Sequence, residues 1–322
     1  MSPITLRSDR LAVEIAEPGS VYRRTRFDWT GFITQVTLDG AHTFCTVEDP
    51  DPAKGSGGIG LCNEFGNEKP IGYDDAAPGQ TFAKPGVGLL VKPSNEPYFF
   101  YHDYEIAAPF PMQATATGED TAILSAEPLD CRGYAFRQVK TIRVQDNCLE
   151  VAYRFENVGS RAIHTHEYAH NFLSIDHHPT GPDYRLTFAY PVQFENLAPL
   201  VRRMVRPFLR PLLPDFFLLL LLKRLIDTSV IRPAGNDVIW TGRPTRAFLA
   251  RLAQFAPASG PQWRLTHLPS GLACAEIDDF APSRVVVWGA AHVISAEVYT
   301  DIDLEPGEAQ TWTRRYVFEK EP

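Results

Sequence analysis

Between His164 and His178 the chain reads His-Thr-His-Glu-Tyr-Ala-His-Asn-Phe-Leu-Ser-Ile-Asp-His-His, so five of its nine histidines fall within fifteen residues. On a β-strand, side chains alternate between faces, which would put His164, His166, Tyr168 and His170 on one side. Three chemistries fit such a row. Imidazoles at this spacing could ligate a metal, although no HExxH or CxxC accompanies them. One imidazole could act as general acid or base, because its ordinary pKa near 6.5 lets it exchange a proton close to neutrality. Or the row could be partly exposed polar residues near a strand end. We carry the acid/base reading forward and assign no metal ligands.

An acid needs a base. Glu297 lies in the apolar run Val293-Ile-Ser-Ala-Glu-Val-Tyr299, where a carboxylate is out of place without a partner or a task, unless it faces water from a strand edge. Weaker candidates for ligand contact are Lys84 in a glycine-rich turn, Glu64 before Phe65-Gly66, Tyr73 before Asp74-Asp75, and Trp288. Arg26, Asp28 and Trp29 could form a polar and stacking edge. Each has an ordinary structural alternative: a solvated lysine, a turn residue, a loop aromatic, a core tryptophan.

These residues need a scaffold, and the sequence describes short strands punctuated by turns. Leu11–Ile15 alternates, Phe32–Leu38 is rich in β-branched residues, and Asp39-Gly40 is a hairpin signal. Further strand-like runs are Thr141–Val144, Leu149–Phe155, Tyr184–Phe188, Val285–Trp288 and Thr311–Phe318. The turns between them include Gln145-Asp-Asn147, Asn157-Val-Gly-Ser160 and Glu305-Pro-Gly-Glu308. With 22 Gly and 27 Pro among 322 residues, long helices should be scarce. No internal repeat or linker is evident. The expectation is an all-β, antiparallel β-supersandwich spanning 1–322 as a single domain.

At 44% hydrophobic and 22% charged, the composition excludes disorder, collagen and coiled coil. A net charge of −8 argues against a nucleic-acid partner. Five scattered cysteines resemble neither a disulfide framework nor a zinc site. The N-terminus carries Asp9 and Glu14 where a signal peptide would be apolar, so a cytoplasmic location is expected.

One stretch, about 197–227, breaks the β pattern. Between Leu200 and Ile226 six basic residues stand against the single acid Asp215, and Phe216–Leu222 is wholly apolar. Three prolines forbid one continuous helix, and the apolar run is far shorter than the ~20 residues that cross a bilayer. We expect a short, basic, leucine-rich helical insertion. It could lie on an anionic membrane surface, cap the sandwich, cover the site, or make a homo-oligomer contact.

The order of several motifs resembles the galactose mutarotase (aldose 1-epimerase) superfamily. Glu297-Val-Tyr-Thr, then Leu304-Glu-Pro-Gly-Glu308, then the strand Thr311–Phe318 is similar to the end of its members. His170-Asn-Phe-Leu173 resembles the segment that holds the family's histidine. Arg26-Phe-Asp-Trp-Thr-Gly31, Glu64-Phe-Gly66, Gly72-Tyr73 and Phe82-Ala-Lys-Pro-Gly-Val-Gly88 resemble a divergent branch. The resemblance covers most of the chain outside the 197–227 insertion.

It implies a galactose mutarotase-like supersandwich with a carbohydrate cleft, no cofactor, and a small-molecule sugar as partner. His170 would be the general acid and Glu297 the general base, on opposite sides of the sugar. His166 would be a second contact, with Lys84, Glu64, Tyr73 and Trp288 around them. Glu297 would take the proton of the anomeric hydroxyl while His170 protonates the ring oxygen; rotation about C1–C2 and reclosure give the other anomer. Two departures stand out. Ser295-Ala-Glu-Val-Tyr299 replaces the family's Leu-Glu-x-Gln-like context, and Lys84 lies roughly where the family has an Asn-Arg pair. A non-catalytic carbohydrate-binding or membrane-associated module, or a lyase or hydrolase on the same fold, is the alternative.

Overall fold

The computed structural model describes residues 3–196, 227 and 229–321. The expected helical insertion, with its membrane or oligomer contact through Leu200–Ile226, lies outside the described residues. In chain order the strands are β1 (Ile4–Arg7), β2 (Leu11–Ile15), β3 (Ile33–Leu38), β4 (His42–Thr43), β5 (Leu61–Phe65), β6 (Thr81–Lys84), β7 (Gly88–Val91) and β8 (Ile106–Pro109). There follow β9 (Met112–Thr117), β10 (Thr121–Ala126), β11 (Phe136–Gln145), β12 (Cys148–Asn157), β13 (Ile163–Asn171), β14 (Tyr184–Phe188) and β15 (Ile231–Ala234). Last come β16 (Asp237–Trp240), β17 (Phe248–Arg251), β18 (Trp263–His267), β19 (Leu272–Asp278), β20 (Arg284–Ala290), β21 (Val293–Leu304) and β22 (Ala309–Lys320). A 3-10 turn, Ile175–His177, follows β13.

All strand pairings among the described residues are antiparallel. One sheet runs β1-β2-β3-β5-β13-β21-β20-β17, with β4 on β3; a second runs β15-β16-β14-β18-β19-β22-β12-β11-β10-β9; β6-β7-β8 form a small third. The all-β expectation therefore holds. Hydrophobic alternation builds the large sheets: β11 and β12 bury every second residue, among them Phe136, Ile142, Leu149, Val151 and Phe155. One apolar cluster draws side chains from both large sheets, for example Val36, Phe65 and Val298 with Val151, Trp312 and Phe318. The Asp39-Gly40 turn takes positive φ at both residues, the backbone a tight hairpin needs, and Gly307 does so in the β21–β22 turn. All five cysteines are free thiols.

The strands that matter for chemistry are β5, β13, β21 and β20, four neighbours at the middle of the first sheet. Their odd and even residues face different environments, and both environments are polar.

Candidate functional site

Register alone assembles the centre of the site. The β13–β21 ladder runs from Ile163 opposite Leu304 to Tyr168 opposite Tyr299, and the isolated bridge Leu173–Ile294 keeps the same register. His170 therefore falls opposite Glu297, on the same face, with 126 intervening residues closed into one cross-strand pair. On the flanking strands Glu64 pairs with Tyr168, Cys62 with His170, and Trp288 with Ser295. The result is a grid of side chains on one sheet face.

His170 Nε2 lies 3.2 Å from Glu297 Oε1. Ser295 Oγ lies 3.1 Å from His170 Nδ1 and 3.2 Å from the same Glu297 oxygen, and the Tyr299 hydroxyl is 3.4 Å from Glu297 Oε2. The His170 ring stacks on Phe172 at 4.0 Å and meets Trp288 edge-on at 5.2 Å. Both members of the pair are buried, His170 at 3% and Glu297 at 4% exposure, so no open cleft separates them. The expectation is of an acid and a base on opposite sides of a sugar; in the structure the two groups converge in direct contact, with no gap between them.

Burial decides their protonation. Loss of hydration, reinforced by the Arg26 charge, holds the His170 imidazole well below its ordinary pKa. The Glu297 carboxyl is pushed up to about 8 by the same burial, against the pull of Arg26. Near neutral pH these shifts leave the Glu297 carboxyl protonated and the His170 imidazole neutral.

A second cluster adjoins the pair. Arg26 donates from Nε to Glu64 Oε2 at 2.8 Å and from Nη1 to Ser56 Oγ at 2.6 Å, with Glu48 at 3.6 Å. The Tyr168 hydroxyl donates to the same Glu64 oxygen. Glu64 Oε1 has no hydrogen-bond partner, and Lys84 Nζ stands 4.0 Å away, bonded instead to Phe65 O and the Tyr98 hydroxyl. Burial lowers the Lys84 pKa to about 8, with Glu64 opposing. Over Arg26 lie the rings of Phe100 and Tyr101, 4.9 and 4.8 Å from its guanidinium carbon. They belong to the loop joining β7 to β8 and cover the cluster from outside. Tyr101 exposes 44% of its surface, yet its hydroxyl pKa rises, chiefly through burial, with Glu48, Glu64 and Glu297 adding to it.

The other expected residues take different places. Trp288 adjoins the pair, as above. His166 is on the same face of β13 but four residues, roughly 13 Å, from His170; its Nε2 meets Asn67 Oδ1, and burial lowers its pKa to about 3, so it is neutral. Tyr73 belongs to an aromatic cluster with Phe82, Tyr98 and Tyr104, and its hydroxyl donates to Glu96 O. Its ring meets that of Tyr98, whose hydroxyl accepts from Lys84 Nζ. His164 is exposed beside Asp303 and lines a separate cavity of about 230 Å³ with Asp74, Asp75 and Tyr134. Asp28, expected at an edge, faces inward to Lys140 at 2.6 Å. Among the described residues no group of three or more His, Cys, Asp or Glu side chains is placed to hold a metal ion.

Sequence reasoning did not single out Ser295, Tyr299, Glu48, Tyr98, Phe100 or Tyr101. Period-two alternation from Glu297 reaches Ser295 and Tyr299, and four consecutive aromatics at Tyr98–Tyr101 mark the cover. Glu48 has no such signal.

No known family model matches the chain, and no curated protein sequence does. Solved structures do match. A putative aldose 1-epimerase from Escherichia coli K12 aligns with TM-score 0.59 at 13% identity over 99% of both chains. A galactose mutarotase-like protein from Lactobacillus casei gives 0.58 at 12% identity, over 99% of this chain and 100% of that one. A galactose 1-epimerase from Lactobacillus acidophilus gives 0.50 at 13%, over 99% and 94%. With its antiparallel sheets and full-length coverage, the chain has the galactose mutarotase-like fold, which it shares with aldose 1-epimerases.

Proposed function

We propose that the chain interconverts the anomers of a sugar or sugar derivative by acid/base ring opening, an aldose 1-epimerase-type reaction. The observation that carries this reading is the 3.2 Å contact between His170 Nε2 and Glu297 Oε1. Ring opening needs one group that gives a proton and one that takes a proton, and this pair has one exchangeable proton to pass between them. Transfer along the contact makes His170 the acid and Glu297 the base.

The sugar inserts between them. Glu297 then removes the proton of the C1 hydroxyl while His170 Nε2 protonates the ring oxygen, and the C1–O5 bond breaks to an aldehyde. After rotation about C1–C2 the ring closes on the other face with the roles reversed. Each positioned transfer of this kind contributes about 100- to 10,000-fold. For the sugar to enter, Phe100 and Tyr101 swing off Arg26, which leaves Glu64 Oε1 able to accept a sugar hydroxyl and Trp288 available for stacking on a pyranose face.

Magnetisation-exchange NMR on a panel of free aldoses and derivatives tests the reading. Acceleration of anomer exchange by the wild-type chain, lost in both His170→Ala and Glu297→Gln, is the expected result. Undiminished exchange in both variants would remove the two roles. Sugar binding without acceleration by the wild type would make the chain a binding module instead.

A further inference from the structure

Ser295 Oγ touches three polar groups at once: the backbone N–H of Asn171 at 3.1 Å, His170 Nδ1 at 3.1 Å and Glu297 Oε1 at 3.2 Å. A hydroxyl has one proton to give and two lone pairs to offer. The Asn171 N–H can only donate, so it occupies one lone pair. The remaining question is where the single hydroxyl proton points.

If Ser295 donated to His170 Nδ1, its contact with Glu297 Oε1 would be matched only with the carboxyl proton turned towards the serine and away from Nε2, and forming the imidazolium would take a two-proton relay through the hydroxyl. If it donates to Glu297, it accepts from an Nδ1–H, and every contact is matched. This second arrangement also survives proton transfer. With the carboxyl protonated, Glu297 donates to a bare Nε2; with the imidazolium formed, Nε2–H donates to the carboxylate. In both states Nδ1–H points at Ser295 and the serine hydroxyl at Glu297. Only one proton moves, along Nε2···Oε1, and nothing else in the triad reorients.

We infer that Ser295 is a positioning residue that locks the proton of His170 on Nδ1 and so reserves Nε2 as the nitrogen that exchanges a proton with Glu297 and substrate. Its place in a reaction rests on the proposed function; the tautomer itself does not. The strand geometry supports the assignment. Ser295 sits two residues before Glu297 on β21 and opposite Trp288 on β20, so its hydroxyl is buried between the two groups it joins. Alanine would leave Nδ1–H and the Asn171 N–H without an acceptor.

The test reads the imidazole directly. In the histidine-¹⁵N-labelled wild-type chain, with the His170 signals assigned by their loss in His170→Gln, Nδ1 should be protonated between pH 6 and pH 7, where Glu297 keeps its proton. An unprotonated Nδ1 in that range overturns the inference, whatever the activity. In Ser295→Ala the Nδ1 and Nε2 signals should shift towards a tautomer mixture, and Ser295→Thr, which keeps the hydroxyl, should restore the wild-type pattern. If anomer exchange is observed, Ser295→Ala should lower kcat at least about tenfold, with KM within about twofold, because the acid is misoriented rather than the sugar unbound. A pure KM effect with an unchanged tautomer would refute the positioning role. Absence of anomer exchange in the wild type would count against the proposed function alone.

Discussion

From Thr165 to Asn171 both faces of β13 are buried and both carry polar groups, and they differ in what those groups are tied to. On the inner face, Glu167 accepts from Asn63, Trp312 and Arg314, and Asn171 bonds Glu276, Ala296 O and Tyr316. Arg314 on β22 holds Glu167 and Glu276 at 2.7 Å each, with Asp278 at 3.8 Å. The heart of this inner network lies on strands. On the outer face His170 and Glu297 satisfy one another, and the covering rings come from a loop. Buried polar groups with partners on strands hold two sheets in register. Buried polar groups that share a movable proton beneath a loop can do chemistry.

Removing the inner cation should give the largest effect. Arg314→Met leaves the carboxyls of Glu167, Glu276 and Asp278 buried without their shared counter-charge. We expect a loss of about 3–5 kcal/mol in urea unfolding, or failure to fold. A loss under about 1 kcal/mol would erase the distinction between the faces.

On the outer face, Glu297→Gln should cost little stability, because it swaps a neutral carboxyl for a neutral amide. The sign of the pH effect follows from the raised pKa. Folding favours the protonated carboxyl, so that stabilisation is complete below the ordinary carboxylate range and is lost as pH rises towards about 8. His170, held well below its ordinary value, works the opposite way: its contribution is present above about 6.5 and is lost as pH falls through its depressed pKa. Above pH 8 the pair has lost its proton, so anomer exchange, corrected for the uncatalysed rate, should decline there. In Glu297→Gln the fall in stability between pH 5 and pH 8 should diminish, as chemical denaturation at a series of pH values would show.

The smallest effect should come from the cover. Tyr101→Ala removes a half-exposed ring and should change stability by less than about 1 kcal/mol. It should raise kcat/KM severalfold while leaving kcat unchanged, if admission past the ring limits binding. A lowered kcat would place Tyr101 in the chemistry instead.

Much of this was legible in advance. The strands Leu11–Ile15 and Tyr184–Phe188 appear with the same bounds in the structure, and the Asp39-Gly40 turn adopts the backbone its residues favour. Glu297 stood out because a titratable group in an apolar run demands a reason, and His170 because it belongs to a row of histidines and to a segment that carries the family resemblance. Asp28 shows where such reading stops. Its carboxylate accepts from Thr30 and Gln138 and pairs with Lys140, and a Cβ on Gly86 would lie 1.8 Å from it, so the close approach of the β6–β7 turn leaves no room for an edge position. Tyr73 likewise carries no local mark that separates a sugar platform from an aromatic core.

The sequence by itself determined what is local: strand periods, turn residues, and a few side chains too polar for their surroundings. These follow from alternation and backbone preference over a handful of residues. Tertiary structure alone decided which face each polar residue occupies and which distant partner it meets, because those depend on strand order and register. A slip of one residue in the β13–β21 ladder would turn His170 and Glu297 away from each other. It also decided the protonation of the pair, since a carboxyl pushed up to about 8 beside a neutral imidazole is a product of burial, and burial is a property of the assembled sheets.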